Sequence, residues 1–364
     1  MFLSEKTPLV AVDIGSYSIK LAQLGRLRNN AYELLSFGMM PLSPESITDG
    51  AVKDMDHVVD ALARLVKAEN IKTRHAVASV SGETVIIKKI KLPIMSSEEL
   101  SEKIREEAEQ YIPFNIDDVS MDYQILKTVD QKTARPDDSD DSDQDLMEVL
   151  LVAAQKETID NRMEILGEAG LKPVIVDLDV FAMMNAAGLS TNLERLGAVA
   201  LVDLGASFTH INLLYRGDIY FTRDFHIGGV QCTEKLMADL GISFEEANAC
   251  KKGEIPGKTD KDAVIKVIVE SFEPVFEEIK TALESFKNTM GTSVERVLLS
   301  GGGALIRGVD GLFADRLDLP VEIQDPLKSV TVNRKKFDLA CIAELAPVAT
   351  VALGLATRRF DYKI

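Results

Sequence analysis

VDIGSYSIKLAQL, residues 12–24, and VDLGASFTHINLL, residues 202–214, write one pattern twice. Each has an apolar run, Asp-x-Gly, a short polar loop and a second apolar run. Asp13 matches Asp203 and Gly15 matches Gly205, an offset of 190 residues. A short apolar run ended by glycine reads as a buried strand feeding a tight turn. Successive backbone N–H groups in such a turn can converge on an anion, and glycine lets the backbone come close. Ser16 and Ser18 in the first copy, and Ser207 and Thr209 in the second, add hydroxyls there. One carboxylate per hairpin, Asp13 or Asp203, then faces the phosphates. Two carboxylates beside a polyphosphate need a cation to separate the charges, which implies Mg²⁺ held through water. A strand ending in Asp-x-Gly is also an ordinary turn signal. Two copies in register, followed by SGGGALIRG at 300–308, favour a nucleotide. That glycine cluster stands between an apolar strand and a helix, where a flat group such as adenosine can approach.

The bulk composition sets the class. A chain of 364 residues has room for two or more domains. Its 46% hydrophobic content supports sizeable cores. A net charge of −17 disfavours nucleic acid, which needs clustered Lys and Arg. Part of that acidity is local: DDSDDSDQD at 137–145 holds six Asp in nine residues and reads as a solvated, disordered loop. Cys232, Cys250 and Cys341 have no metal-ligand spacing and suit a reduced, cytoplasmic setting. The four His, at 57, 75, 210 and 226, form no ligand pattern. No signal peptide is visible in MFLSEKTPLV, and no run of about 18 apolar residues predicts a membrane span.

Along the chain the pattern predicts mixed α/β structure. Strands are expected at 9–14 and 75–80, with a helix over 53–69 between them. Ser96 with Glu99, and Ser243 with Glu246, form capping-box patterns that start helices. Residues 80–172 read as a compact α+β module in which the acidic run tips a hairpin. A second hairpin, 211–225, is expected to turn at Gly217–Asp218. A long helix over about 262–288 contains Pro274.

These motifs resemble the actin/Hsp70/hexokinase superfamily. DIGSYSIK at 13–20 is similar to its first phosphate motif, with Lys20 at the basic position. DLGASFTH at 203–210 resembles the second, with Thr209 and His210 where actin has Thr and His. VLLSGGGALIRG at 297–308 resembles the adenosine motif, and FAMMNAAGL at 181–189 and PVATVALGLATR at 347–358 the two connecting helices. About 90 residues enter after HAVASV at 75–80. That placement is similar to FtsA and to PilM, the type IV pilus assembly family. EEAEQYIPF (106–114), DYQIL (122–126), LVAAQKE (151–157) and EAGLKPVIVDLD (168–179) resemble PilM. Only residues 360–364 follow the last predicted helix, so the C-terminal membrane anchor of FtsA is not expected.

The resemblance implies an actin-like ATPase fold with two ribonuclease-H-like halves. The first half would be 1–80, completed by 173–196 and 347–364. The inserted subdomain would be 81–172, with the acidic loop at 131–145. The second half would be 197–346, including a helical subdomain at 229–292. It further implies ATP or ADP with Mg²⁺, held by Asp13, Gly15, Ser16, Tyr17, Ser18 and Lys20 in the first half. In the second half it implies Asp203, Gly205, Ala206, Ser207, Thr209, Glu246, Lys251, Gly301, Gly302, Gly303 and Leu305, with Asp13 and Asp203 on the metal. The implied role is a cytoplasmic scaffold at the inner membrane that holds the N-terminal tail of PilN and links it to the pilus motor. Membrane attachment would run through that partner, and self-association would be compatible with the family. Contact with the partner is expected at the inserted module. An FtsA-like filament-forming ATPase is the alternative. An efficient kinase is disfavoured because no base is evident: Asp177 and Asp179, just before FAMMNAAGL, read as structural. Hydrolysis is therefore expected to be slow at most.

Overall fold

The computed structural model describes residues 9–28, 30–48, 50–129, 146–257 and 259–359. The acidic run at 137–145, expected as a disordered loop, lies outside the described residues. Two compact units divide the chain: Met1–Ser79 with Arg162–Ile364, and Val80–Asn161.

The larger unit opens with β1 (Val10–Ile14), β2 (Ser18–Arg26) and β3 (Tyr32–Pro41), an antiparallel meander. A short hairpin, β4 (Ile47–Thr48) and β5 (Ala51–Val52), leads to α1 (Met55–Ala68). The Asp54 side chain caps this helix by accepting the His57 N–H at 3.0 Å. Val58, Ala61, Leu62 and Leu65 are buried along one stripe of α1. Strand β6 (His75–Val80) pairs in parallel with β1 and ends this stretch of the unit.

The smaller unit contains β7 (Val85–Pro93), α2 (Ser97–Ala108), β8 (Val119–Val129) and β9 (Leu146–Gln155). The capping box at Ser96 and Glu99 forms as expected. Both other strands pair antiparallel with β9, giving the order β7-β9-β8. Met147, Val149, Leu151 and Ala153 alternate along β9 and pack with Leu100, Ile104 and Ala108 of α2.

Helix α3 (Lys156–Glu168) follows β9, and from Arg162 onward it belongs to the larger unit. The expected boundary at 172 thus lies about one helix too late. Ile165, Leu166 and Leu171 pack with Val10, Val12 and Ile14 of β1, so the end of α3 is core of the first half.

Strand β10 (Lys172–Leu178) completes the first sheet, ordered β10-β6-β1-β2-β3, and runs into α4 (Asp179–Ser190). The second sheet repeats the plan. Strands β11 (Ala198–Leu204), β12 (Thr209–Tyr215) and β13 (Asp218–Phe225) form a meander. Its second hairpin turns at Arg216–Gly217, one residue earlier than expected. Both residues have positive φ, 52° and 85°, which is the type I′ solution for a two-residue loop.

Helices α5 (Gly229–Leu240), α6 (Phe244–Lys251) and α7 (Lys261–Met290) come next, and α7 is continuous through Pro274. Then β14 (Arg296–Ser300), α8 (Val309–Leu317) and β15 (Val321–Ile323) give the sheet order β13-β12-β11-β14-β15. The chain returns to the first sheet, where Thr331 bridges the β3 edge and its carbonyl accepts the Leu34 N–H at 2.9 Å. Helices α9 (Leu339–Leu345) and α10 (Thr350–Leu355) close the fold.

Both sheets place a three-strand meander beside two further strands in the same order, so the sequence repeat is a repeat of architecture. Between them run α4 and α10. A Cβ on Gly354 would stand 1.8 Å from the Ala182 carbonyl oxygen, so only glycine permits this crossing. Asn212 donates its side-chain N–H to the Val180 carbonyl at 3.1 Å, tying β12 to α4. No helix among the described residues is long and apolar enough to cross a membrane.

Candidate nucleotide-binding site

Each repeat folds as a hairpin, and the two turns close alike. The Gly15 N–H donates to the Ser18 carbonyl at 3.2 Å, and the Gly205 N–H to the Phe208 carbonyl at 2.9 Å. Among the described residues, the backbone N–H groups of Ser16 and Tyr17, and of Ala206 and Ser207, have no acceptor in the chain. Unpaired donors grouped at two hairpin tips suit an anion. At Gly205 a Cβ would stand 2.7 Å from the Phe208 carbonyl oxygen, so the turn is too tight for a side chain. Tyr17 is exposed at the first tip, whereas Ser18 is buried at the start of β2.

Register places the charged groups. Lys20 faces Asp13 across β1 and β2, and His210 faces Asp203 across β11 and β12. Lys20 Nζ lies 3.2 Å from Asp13 Oδ2. His210 Nδ1 lies 2.7 Å from Asp224 Oδ1. Burial would push the imidazolium down, but the Asp224 carboxylate outweighs it, with Asp179 and Asp203 adding. The His210 pKa is pushed up to about 9.

Asp13 and Asp203 are both buried, and burial raises the pKa of each. For Asp13 the Lys20 charge opposes this, while Asp179 and Asp203 add to it. For Asp203 the opposing groups are His210, the Ser300 hydroxyl and Lys20, and Asp179 again adds. Ser300 Oγ donates to Asp203 Oδ1 at 2.7 Å.

Asp13, Asp179 and Asp203 are therefore close enough to repel one another. Asp179, which reads from sequence as structural, is the first residue of α4, and its charge acts on both Asp13 and Asp203. Asp177 keeps the structural reading, being buried and paired with Arg358 Nε at 2.5 Å. The change of element separates the two outcomes: Asp177 is the second-last residue of β10, and Asp179 is the first residue of α4.

The glycine turn joins the second hairpin directly. Gly301, with φ 84°, follows Ser300, and a Cβ on it would stand 2.4 Å from the Leu204 carbonyl oxygen. Gly303 is packed against Leu204, whereas the Cβ position of Gly302 opens on free space. Leu305 ends the short helical turn Gly302–Leu305 that follows.

Further bonds stitch α5 and α6 to this region. The Gly229 N–H donates to the Gly205 carbonyl at 2.9 Å, and the Arg307 N–H to the Lys251 carbonyl at 2.9 Å. Lys251 Nζ donates to Thr233 Oγ1 at 2.7 Å and to the Gly229 carbonyl at 3.2 Å. The Glu246 carboxylate caps α6 by accepting the Ser243 N–H at 2.8 Å. Thr209 is fully buried and donates its hydroxyl to the Ile227 carbonyl at 2.6 Å, bracing the turn from behind. Ser300 and Asp179 are the site residues that sequence reasoning missed. Serine before the glycine run was the available signal for the first; nothing local marked the second.

The donors and carboxylates fit the groups implied for this site. Unpaired N–H groups and Lys20 would hold phosphate oxygens, and the open side of Gly302 would admit a flat base. Among the described residues no three His, Cys, Asp or Glu are grouped to hold a metal ion directly. Two carboxylates strained by burial and mutual charge instead suit a hydrated Mg²⁺, which keeps most of its waters.

Comparison with known proteins agrees with this architecture. The family described as type IV pilus assembly protein PilM matches residues 11–360. Cell division protein FtsA of Bacillus subtilis (strain 168) is 25% identical over 350 residues, covering 87% of this chain and 78% of FtsA. The solved PilM–PilN type IV pilus biogenesis complex is similar at 26% identity and a TM-score of 0.82, covering 97% of this chain and 98% of the other. MreB5 of Spiroplasma citri, solved with AMPPNP, shares the fold at 14% identity and a TM-score of 0.53, over 96% and 95% of the two chains. With nearly its whole length matched and its motifs on duplicated actin-like sheets, the chain belongs to the type IV pilus assembly protein PilM family.

Proposed function

We propose that this chain is a nucleotide-binding scaffold of type IV pilus assembly that holds Mg-ATP or Mg-ADP at the two hairpins and binds the cytoplasmic N-terminal tail of a PilN. The observation that carries the nucleotide reading is the pair of hairpin tips, Ser16–Tyr17 and Ala206–Ser207, with unpaired N–H groups beside the buried carboxylates of Asp13 and Asp203. Similarity to a solved PilM–PilN complex over nearly the full chain supports the partner. Such a scaffold would stand at the inner membrane through PilN and hand its position on to the pilus motor.

Site chemistry supports holding more than turnover. Lys20 and the hairpin N–H groups orient phosphates, and a bound Mg²⁺ would supply charge neutralisation between Asp13 and Asp203. Asp179 is the carboxylate available to orient a water, which gives slow hydrolysis a place without making it the working step.

Calorimetric titration with Mg-ATP tests the first half of the proposal, and mass spectrometry of nucleotide released from purified protein supports it independently. Saturable binding that weakens in Asp203→Ala is expected. Equal binding by both proteins would move the site elsewhere. For the partner, a synthetic PilN tail should bind saturably, with cross-links in 80–172 or the adjoining core; cross-links confined to 230–290 would reject that contact. The FtsA similarity favours one other reading, a filament-forming ATPase, which nucleotide-dependent sedimentation of the purified protein would reveal.

A further inference from the structure

Arg162 has no role in the site as described. It lies on α3 three residues before Ile165 and four before Leu166. Those two are fully buried against Val10, Val12, Ile14, Ile19 and Leu21. Spacings of three and four put Arg162 on the same helix face, one turn nearer the N-terminus, and helical side chains lean in that direction. Arg162 is partly exposed as a residue, yet its Nε is sealed from solvent and has no hydrogen-bond partner.

Its charged neighbours are Asp179 and Asp13. Neither forms an ion pair with it, and among the described residues no hydrogen bond uses its guanidinium. Burial lowers its pKa, and those two carboxylates oppose the shift. Guanidinium stays protonated regardless. A cationic N–H sealed from solvent without an acceptor, as at Arg162 Nε, is costly, and such groups are normally paired.

The orientation of a nucleotide in the proposed site tells which group supplies that acceptor. The glycine turn, α6 and the second hairpin are bonded together on the second sheet, so the nucleoside end belongs there. Asp13 is on the first sheet and Asp179 starts α4. A phosphate chain laid from the second sheet toward the first brings its terminal phosphate to Asp13, Asp179 and Arg162.

We propose that Arg162 binds the terminal phosphate of a nucleoside triphosphate, so that the chain distinguishes triphosphate from diphosphate; this rests on the nucleotide reading above. Two oxygens of a phosphoryl group match the fork of a guanidinium in a way that a lysine ammonium does not. Arg162 also opens the stretch of α3 that belongs to the larger unit, on the helix by which the chain leaves the smaller one. The triphosphate state would thus be read on one of the two segments that join the units covalently.

The test compares Mg-ATP and Mg-ADP affinities of the full chain with those of Arg162→Met and Arg162→Lys. Met keeps the apolar stem, so folding is expected to survive, and nucleotide-free Arg162→Met should melt no lower than wild type because a sealed, unpaired N–H of a cation is removed. Expected is a loss of about 30-fold or more in ATP affinity, with ADP affinity within about 3-fold of wild type. Arg162→Lys should recover part of the ATP loss. Unchanged ATP affinity, an equal loss for both nucleotides, or a variant that fails to fold would each overturn the assignment and leave nucleotide binding standing. If wild type binds neither nucleotide, the nucleotide reading itself fails, and Arg162 with it.

Discussion

Asp203 and Ser300 are 97 residues apart in the chain, and they meet through a buried hydrogen bond of 2.7 Å at the carboxyl ends of β11 and β14. Parallel pairing of those strands makes them register partners. The glycine turn begins at the next residue, so one hydrogen bond fixes the proposed metal-side carboxylate relative to the proposed base-side turn.

That bond makes Asp203→Asn a clean substitution. The amide oxygen still accepts the Ser300 hydroxyl, and the buried charge is gone. Because burial holds the Asp203 carboxyl above its ordinary pKa, the charged form is disfavoured in the nucleotide-free fold. The variant without ligand should melt higher, by roughly 2 °C or more, and should lose the stabilisation conferred by Mg-ATP. Scanning calorimetry with and without ligand checks both; a lower melting point without ligand would mean that the charge is structural.

His210 provides a pH dependence. Its pKa rises from 6.5 to about 9 in the fold, chiefly through Asp224 acting against burial. A raised pKa stabilises the fold fully below the unfolded value of 6.5 and loses that contribution as pH climbs through about 9. The loss is on the order of 3 kcal/mol. Urea denaturation from pH 6 to about 9.5 should show it, and His210→Gln should flatten the slope. A slope identical in both proteins removes His210 as the cause.

Turnover is expected to lie far below the roughly 1–10³ s⁻¹ of dedicated enzymes. Asp179→Asn should slow it further while ATP still binds, since Asp179 is assigned to water rather than to phosphate. Phosphate release measured beside binding separates the two; several turnovers per second in wild type would overturn the scaffold reading.

Gly354 and Gly188 should respond oppositely to alanine. At Gly354 the new Cβ meets the Ala182 carbonyl oxygen at 1.8 Å, forcing α4 and α10 apart. A cost of about 2 kcal/mol or more is expected. Gly188 lies within α4 and has nothing within 4 Å of its Cβ position. Alanine there should stabilise by about 0.5–1 kcal/mol. Thermal unfolding of the two variants tests whether the crossing, rather than the helix, needs its glycine.

Much of this protein was legible in its sequence because the decisive signals are local. Apolar runs ended by Asp-x-Gly specify a strand and its turn within a dozen residues, and a second copy declares the duplicated fold. Capping boxes at Ser96 and Ser243 work through residues three apart, so they form as written. Other features depend on which distant segments meet. Asp177 and Asp179 are chemically identical and two residues apart, and only the fold sends one to Arg358 and the other toward Asp13 and Asp203. Arg162 looks like any charge on an amphipathic helix until packing of Ile165 and Leu166 buries its Nε. Glu246 and Thr209 also take partners in the fold, Glu246 through one carboxylate oxygen at the α6 cap and Thr209 through its hydroxyl at the Ile227 carbonyl. Local hydrogen bonding and hydrophobic period were thus determined by the sequence alone. Burial, and with it the cost of charge and the choice of partner, was decided only by tertiary contact, because desolvation is a property of everything packed around a group.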